Sequence, residues 1–267
     1  MNNAIKVNVG IAQFAYTDAA VETNLQKGIG YMAEAAAKGM DIVLLPEMFT
    51  TGFPVGKNMD DYSEPIQGGK VIQAVAAAAK SYQIAVVGSI PEWDAEQQKS
   101  YNTSFFIDRE GEILKTYRKV HLFDKERNYV HPGRELSVVD YEGVRYGLLI
   151  CFDLEFPEPA RYLAQSGAQV LLVVSNNMHP YGKLHRIFAQ ARAIENHMFV
   201  AYCNRTGNNS VFTYEGESCL VSPKGEIVAQ LDQQEETLLS GVMDLKLIDD
   251  SRKVYNYLQE SLINFKP

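Results

Sequence analysis

Residues 145–158, Arg-Tyr-Gly-Leu-Leu-Ile-Cys-Phe-Asp-Leu-Glu-Phe-Pro-Glu, join an apolar strand to a helix that begins at a proline. A buried strand of an α/β sheet presents its last side chain at the carboxyl edge, where open sheets bind their ligands. Cys151 stands at that position, and the N-terminus of the following helix is expected to favour its thiolate. A free cysteine is also among the most buried residue types, so a core position is the competing interpretation.

Strand and helix patterns alternate on both sides of this junction. Apolar runs and period-two alternation predict strands over 6–13, 41–45, 84–90, 100–108, 112–118, 136–141, 144–150, 169–175, 198–204, 216–222, 226–231 and 236–244. Apolar residues spaced by three and four predict helices over 22–38, 69–82, 157–166 and 183–196. This order, with hairpins between the alternating units, is typical of an α/β protein with mixed sheets.

The number of strands predicts how they are arranged. Roughly a dozen strands exceed one comfortable open sheet, so we expect two sheets packed face to face. Helices on the outer faces would bury the other side of both sheets, which gives a four-layer αββα sandwich. Because the 267 residues contain no linker rich in Pro, Gly or Ser, we expect a single domain over residues 1–267.

Composition narrows the class of partner. A net charge of −8 without a basic run argues against nucleic acid and acidic membrane surfaces, and favours a small-molecule partner. No apolar run approaches the ~20 residues that cross a bilayer, and the N-terminus lacks a secretory signal, so we expect a cytoplasmic protein. The sequons at Asn102, Asn204 and Asn209 would then carry no function.

The cysteines and histidines give no metal pattern. Cys151, Cys203 and Cys219 lack CxxC spacing, which suits reduced thiols rather than a disulfide framework or a zinc site, and the last two lie in apolar runs typical of core. The five histidines include no HExxH motif. We therefore expect neither a metal nor a cofactor.

Two more reactive side chains follow predicted strands. Glu47 comes shortly after the run 41–45, and Lys119 ends another strand, although an isolated Glu or Lys there is most often simply solvated. The set is chemically coherent, because a thiol needs a base and a carboxylate beside an apolar strand end can have a raised pKa. A Lys ammonium and the backbone N–H of Phe152 could then stabilise an oxyanion.

Three segments resemble the signature segments of the nitrilase, or carbon–nitrogen hydrolase, superfamily. They are Leu-Leu-Pro-Glu47-Met-Phe, Tyr-Arg-Lys119-Val-His-Leu-Phe and Leu-Ile-Cys151-Phe-Asp-Leu-Glu-Phe-Pro-Glu. The similarity extends to Arg161, to Arg192-Ala-Ile-Glu-Asn and to Ser222-Pro-Lys-Gly-Glu, in the same order and spacing. The resemblance implies an αββα sandwich that forms a homodimer or higher homo-oligomer, a Glu–Lys–Cys triad, and hydrolysis of a non-peptide C–N bond through a thioester, without metal.

The resemblance also implies a second glutamate and a substrate class. Glu126 stands shortly before a Pro-Gly, where family members carry a carboxylate that orients the Lys and the attacking water; a surface ion pair is the alternative. The wider match looks most like the aliphatic amidase-type branch, which implies a small aliphatic carboxamide converted to acid and ammonia. An N-carbamoyl amine or amino acid is the alternative substrate, followed by a nitrile, and a non-catalytic binding protein on the same fold is a different class of function.

Six residues are candidates for substrate contact. Phe152 follows Cys151 directly and Glu155 stands four residues past it; the Glu155 carboxylate could attract a cationic amine, or could simply be favoured by the helix dipole. Asn177 follows another strand end, and Tyr62 and Tyr129, with Phe53, lie in loops near Glu47 and Lys119 where they could form apolar walls.

Overall fold

The computed structural model describes residues 5–52 and 58–263, and most of its strands form two six-stranded sheets. The first contains β1 (Lys6–Gln13), β2 (Ile42–Leu44), β3 (Ala85–Asp94), β4 (Lys99–Ile107), β5 (Ile113–Arg118) and β14 (Thr237–Asp244), in the order β14-β1-β2-β3-β4-β5. The second contains β6 (Val138–Tyr141), β7 (Val144–Ile150), β8 (Val170–Ser175), β9 (Phe199–Asn204), β12 (Cys219–Val221) and β13 (Ile227–Gln230), in the order β13-β12-β9-β8-β7-β6.

Each sheet has a parallel centre and antiparallel edges. β1, β2 and β3 run parallel in the first sheet, as do β7, β8 and β9 in the second, and the outer strands pair antiparallel with them. The carboxyl ends of parallel strands meet at one edge of a sheet, which is where ligands bind in such folds. Residues directly after β7 and β8 are thereby neighbours at this edge of the second sheet.

Successive side chains of a strand point alternately to the core between the sheets and to the core under the helices. In β2, Ile42 and Leu44 pack between the sheets, whereas Val43 packs against α1 (Val21–Ala37) and α2 (Lys70–Tyr82). The second sheet contacts the first through the pairs β1–β9, β3–β8 and β4–β7, and its other face is covered by α3 (Pro157–Gln165) and α4 (Gly182–Asn196). The predicted α/β fold, a four-layer αββα sandwich of two mixed sheets, is confirmed, and Cys203 and Cys219 are buried as expected.

Some elements differ from the prediction for local reasons. The strand expected over 216–222 begins only at Cys219, because Gly216 and Glu217 both have positive φ, 54° and 55°. β3 continues past its predicted end through Pro91, which misses no ladder hydrogen bond there because β2 pairs only with Ala85 to Val87. The short hairpin β10 (Thr206–Asn208) and β11 (Thr213–Glu215), and the helices α5 (Lys246–Arg252) and α6 (Tyr257–Glu260), were not predicted.

Two kinds of feature are absent from the described ranges. Among these residues, no helix combines the length and apolar character needed to cross a bilayer. Nor do three or more His, Cys, Asp or Glu side chains converge there in a group that could hold a metal ion.

Candidate active site

Glu47 and Lys119 meet in the interior although they follow different strands. Lys119 directly follows β5, Glu47 comes three residues after β2, and the Lys119 Nζ lies 2.8 Å from Glu47 Oε1. Both side chains are almost fully buried. The Glu47 backbone N–H also donates to the Ser175 carbonyl at 3.3 Å, which ties this segment to the end of β8 in the other sheet.

A second carboxylate completes a buried cluster around the same ammonium. Lys119 Nζ lies 2.7 Å from Glu126 Oε2, and that oxygen also accepts from the Phe123 N–H at 3.0 Å. The Glu126 side chain is only 6% exposed, so the surface ion pair considered from sequence is not formed. Glu126 lies in the 3-10 turn Asp124–Asn128, which begins five residues after Lys119 and folds back onto it.

Asn102 links the two carboxylates and was missed in the sequence. Its side-chain Nδ2 donates to Glu47 Oε1 at 2.7 Å and to Glu126 Oε1 at 3.1 Å. Its backbone carbonyl accepts from the Lys119 backbone N–H at 2.9 Å. The sequence signal was a fully polar amide inside the strand pattern 100–108, which is unusual for a buried position. The glycosylation sequon that begins at Asn102 has no part in these hydrogen bonds.

The electrostatics of this cluster follow from burying two carboxylates with one ammonium. Burial raises the pKa of the Glu47 carboxyl; the Lys119 charge counteracts this only in part, and Glu126 adds to it. Burial by itself would lower the pKa of the Lys119 amine, but Glu126 and Glu47 outweigh burial and raise it well above its ordinary value. Lys119 therefore keeps its proton, whereas Glu47 is placed to gain and lose one.

Cys151 starts the 3-10 turn Cys151–Glu155 directly after β7, and its backbone is left-handed with φ of 47°. Asp153 holds this turn, since its Oδ2 accepts from the Ile150 N–H at 3.1 Å and from the Tyr117 hydroxyl at 2.7 Å. Its Oδ1 accepts from the His121 N–H at 2.9 Å. Asp153, which sequence reasoning did not single out, thus joins the Cys151 turn to the segment that follows Lys119.

The thiol environment differs from the one expected. Burial raises the pKa of the Cys151 thiol and the Glu47 charge acts in the same direction; Lys119 and hydrogen bonds from the Ser175 side chain and Asn176 backbone oppose them without reversing the shift. The predicted helix does begin at Pro157, but the 3-10 turn Cys151–Glu155 separates it from the thiol, and the net shift of the pKa is upward. The resting group is a neutral thiol that needs a base.

The aromatic candidates lie in two different places. Phe152 is half-buried, with ring centroids 5.2 Å from Phe123 and 5.0 Å from Phe156, so it belongs to an aromatic row beside Cys151. Tyr129 packs on a small apolar cluster that contains Met59 of the turn Met59–Tyr62, and Tyr62 ends that turn. Phe53 lies outside the described residues.

The two polar candidates have defined partners. Glu155 Oε1 lies 3.1 Å from His185 Nε2, and its side chain is 25% exposed. Asn177 is buried, and its backbone N–H donates to Asn204 Oδ1 at 2.8 Å while its carbonyl accepts from Asn204 Nδ2 at 3.2 Å. Glu155 is therefore already paired within the protein, and the Asn177 backbone is fixed two residues past Ser175.

One carboxylate oxygen of the cluster is left available for chemistry. Glu47 Oε2 is buried, and among the described residues it has no hydrogen-bond partner, whereas Oε1 binds both Lys119 and Asn102. A buried carboxylate oxygen without a partner is costly and rare in structures. A carboxylate of raised pKa, held by a fixed ammonium and acting on a neutral thiol, can perform general acid–base chemistry with a nucleophile.

Comparison with known proteins identifies the family of this chain. The family model for carbon–nitrogen hydrolases matches residues 8–253. An (R)-stereoselective amidase from a Pseudomonas species is 34% identical over 95% of this chain and 91% of its own. The crystal structure of Saccharomyces cerevisiae Nit3, a member of branch 10 of the nitrilase superfamily, superposes with a TM-score of 0.88 at 29% identity over 94% of each chain.

A further structure shows chemistry at a cysteine in a similar protein. A mutant of the amidase from Nesterenkonia sp. AN1 carries the acetamide moiety of fluoroacetamide covalently at its active site cysteine. That structure has a TM-score of 0.84 at 25% identity and covers 96% of this chain and 94% of its own. The match to the family model spans most of the chain, and the superfamily expected from the sequence is confirmed. This chain belongs to the carbon–nitrogen hydrolases of the nitrilase superfamily and is a hydrolase of carbon–nitrogen bonds other than peptide bonds.

Proposed function

We propose that this hydrolase converts a small aliphatic carboxamide into the acid and ammonia through a thioester on Cys151. The observation that carries the proposal is Glu47 Oε2, a buried carboxylate oxygen without a partner among the described residues. Its carboxyl has a raised pKa, and its charge acts on the Cys151 thiol. These are the properties that a general base for a thiol nucleophile requires.

In the first half of the reaction, Glu47 takes the proton of the Cys151 thiol. The sulfur attacks the amide carbon, a C–S bond forms, and the carbonyl electrons move to the oxygen, where the Lys119 ammonium and the Phe152 backbone N–H stabilise the oxyanion. The oxyanion then collapses, the C–N bond breaks, and Glu47 returns its proton to the departing nitrogen. Ammonia leaves, and the acyl group remains on the sulfur.

In the second half, Glu47 takes a proton from water, and the oxygen attacks the thioester carbon. The C–S bond breaks, the acid leaves, and the sulfur regains a proton from Glu47. Glu126 keeps Lys119 protonated and in place, because its Oε2 accepts a hydrogen bond from the ammonium at 2.7 Å. This bond is separate from the one that the ammonium donates to Glu47 Oε1. We assign Glu126 as the second carboxylate that positions the Lys and the attacking water.

The substrate contacts follow from what surrounds the thiol. Phe152 in its aromatic row supplies an apolar wall, and Asn177, next to the residues that contact Cys151, supplies polar atoms at the end of β8. We assign a second apolar wall to Tyr129, which packs on the cluster containing Met59, and to Tyr62, which ends the turn that begins at Met59. Because Glu155 is paired with His185, an uncharged acyl group is favoured over the cationic amine considered from sequence.

The proposal is tested by ammonia release from short amides such as butyramide. Cys151→Ala should remove the activity while leaving the melting temperature close to that of the wild type, and mass spectrometry of the quenched wild-type reaction should find an acyl adduct on Cys151. N-carbamoyl amines, N-carbamoyl amino acids and aliphatic nitriles belong in the same screen. Turnover by Cys151→Ala would contradict the nucleophile, and a strong preference for carbamoyl compounds or nitriles would replace the carboxamide.

We further propose that the chain acts as one domain, as a homodimer in a reducing compartment such as the cytoplasm. The three cysteines are free in the structure, and the proposed chemistry needs Cys151 reduced. An apolar stripe on the exposed side of α4 supports self-association.

A further inference from the structure

A buried hydrogen-bond chain leads from Cys151 to the surface through residues other than Glu47 and Lys119. β7 and β8 pair in parallel with Ile150 opposite Val174, so the next residues, Cys151 and Ser175, are also neighbours. A hydrogen bond with the Ser175 side chain acts to lower the pKa of the Cys151 thiol, against the larger effect of burial. Neither the acid–base steps nor the oxyanion contacts proposed above use Ser175.

Three further side chains extend this chain toward the surface. The Tyr202 hydroxyl lies 3.2 Å from Ser175 Oγ and 3.0 Å from His185 Nδ1, and His185 Nε2 lies 3.1 Å from Glu155 Oε1. Ser175 and Tyr202 have no exposed surface, and His185 is 1% exposed. The Glu155 side chain, at 25% exposure, is where the chain meets solvent.

The number of hydrogens that each group can donate limits the possible directions of the hydrogen bonds. Each hydroxyl has one hydrogen to donate, and a neutral imidazole has one N–H. With a neutral thiol, the hydrogens can all point away from the sulfur: Ser175 donates to Tyr202, Tyr202 to His185 Nδ1, and His185 Nε2–H to the Glu155 carboxylate.

With a thiolate the same chain must reverse. Ser175 then donates to the sulfur and Tyr202 to Ser175, which requires an N–H at His185 Nδ1. The Glu155 carboxylate still requires one at Nε2, so both nitrogens are satisfied only in the imidazolium form. Ionisation of the thiol and protonation of His185 therefore favour each other.

The structure assigns Ser175, Tyr202, His185 and Glu155 to a reversible hydrogen-bond chain that stabilises the sulfur of Cys151 when it is negatively charged. This inference rests on the proposed role of Cys151 as nucleophile. Ser175 contacts the reacting atom, whereas Tyr202 and His185 are positioning residues that act through it. The chain would act when the thiol loses its proton and again when the sulfur leaves the thioester.

The charged groups around His185 make its protonation depend on this coupling. Burial lowers the pKa of His185, while the hydrogen bond and charge of Glu155, from the turn after β7, oppose that shift and the Lys119 charge adds to it. Tyr202, from β9, is the other titratable group in contact, and burial raises its pKa so that it stays neutral. When the thiol gives its proton to Glu47, His185 would therefore take up a second proton from solvent through the partly exposed Glu155, at a pH where its imidazole is otherwise neutral.

The test is the pH dependence with which iodoacetamide alkylates Cys151. We expect His185→Asn and Tyr202→Phe each to lower the alkylation rate constant at neutral pH by roughly tenfold and to move the profile to higher pH by about one unit. The double variant should match the single ones, because either break disconnects the chain. kcat/KM for the amide should fall in parallel with little change in KM.

His197→Asn is the matched control. His197 is also buried and hydrogen-bonded, to Ser251 at 3.0 Å, but none of its contacts leads to Cys151, and its left-handed backbone with φ of 51° accepts Asn. Its alkylation profile should equal that of the wild type. A profile shifted as far as that of His185→Asn would show that the effect is a general response to losing a buried histidine, and would overturn the inference.

A further variant tests the inference if His185→Asn does not fold. Glu155→Gln keeps a hydrogen-bond acceptor on a partly exposed side chain and removes only the charge, so it should shift the profile in the same direction if His185→Asn proves unstable. The inference would be overturned if the variants melt like the wild type and their alkylation profiles superimpose on the wild-type profile. The proposed function fails separately, if wild-type Cys151 is alkylated but no C–N bond is turned over through it.

Discussion

At the scale of single residues, the site depends on the unequal roles of the two oxygens of Glu47. Oε1 is held by Lys119 at 2.8 Å and by Asn102 at 2.7 Å, which leaves Oε2 to exchange protons. Glu47→Gln keeps the shape and the oxygen that binds the ammonium but cannot accept a proton. We expect kcat/KM for the amide to fall about 10³-fold. Steady-state ammonia release measures this, and Gln at the exposed position Glu110 is the control, which should keep wild-type rates.

The same carboxyl predicts a pH dependence of activity. The base form of Glu47 is needed, and its pKa is raised by burial, so kcat/KM should fall as the pH falls through this raised pKa. The midpoint should lie above that of an ordinary glutamate, which is about 4.3. A midpoint at or below that value would contradict the assignment, provided that circular dichroism shows a folded protein throughout.

Stability should change in the opposite sense to activity. A carboxyl whose pKa is raised in the folded state contributes most to stability below its unfolded pKa, and this contribution is lost as the pH rises through the folded pKa. Glu47→Gln removes that loss. We therefore expect the melting temperature of the variant, relative to wild type, to be higher at about pH 8 than at about pH 5. An unchanged difference across that range would show that Lys119 fully compensates the charge.

Which site residues could be predicted from the sequence depends on where they lie along the strands. Glu47, Lys119 and Cys151 each stand near a strand end, where side chains meet at the sheet edge, so their approach could be expected before any coordinates. Asn102 lies inside β4, and its role depends on its amide reaching Glu47 and Glu126, which no local pattern reveals. Glu126 was identified by family resemblance alone, since its 3-10 turn has no periodic signal.

At the scale of elements, the end of β5 is positioned by a close backbone contact. The Gly133 N–H donates to the Lys119 carbonyl at 2.7 Å, and a Cβ at Gly133 would lie 2.1 Å from the Arg118 carbonyl oxygen. Backbone must therefore shift in Gly133→Ala. We expect a loss of about 1–3 kcal/mol in the free energy of unfolding and a lower kcat, since Lys119 moves with the strand.

Gly30→Ala is the contrasting control within α1. A Cβ at Gly30 has no described atom within 4 Å, and Ala has a higher helix propensity than Gly. This variant should gain about 0.5–1 kcal/mol and keep wild-type kcat. Urea unfolding and ammonia release on both variants provide the measurement. Wild-type kcat in Gly133→Ala would show that β5 does not position the ammonium through this contact.

Long elements were predicted more reliably than short ones for a physical reason. A strand such as Val144–Ile150 was bounded correctly, because a run of buried apolar residues is long enough to show its pattern. β10 and β11 have three residues each, too few for any period, and they form because Thr206, Gly207 and Asn208 pair across the hairpin. The shortened strand at Cys219 depended on two positive φ values that only Gly216 made visible in the sequence.

At the scale of the whole molecule, the site exists only where the two sheets are packed together. Glu47 and Lys119 extend from the first sheet and Cys151 from the second, and the Glu47 N–H to Ser175 carbonyl bond crosses between them. The two-sheet arrangement was predictable from the strand number, and this packing explains why residues far apart in sequence act as one cluster. Loss of the sheet interface would separate the base from the nucleophile before either sheet unfolds.

The last prediction concerns the outer face of α4, where apolar side chains point to solvent. Leu184, Ile187 and Ile194 are 43%, 58% and 40% exposed and, with Ala191, follow a helical spacing of three and four residues, while the opposite face of α4 is buried in the fold. A contiguous exposed apolar stripe marks an interaction surface, and a two-fold axis lets the same stripe cover its copy. We expect light scattering to give twice the chain mass of 29.9 kDa for the wild type, and Ile187→Glu to halve it. Leu114→Glu, an exposed change on β5 in the other sheet, should leave the dimer intact. A monomeric wild type at micromolar concentration, or a dimeric Ile187→Glu, would contradict this interface.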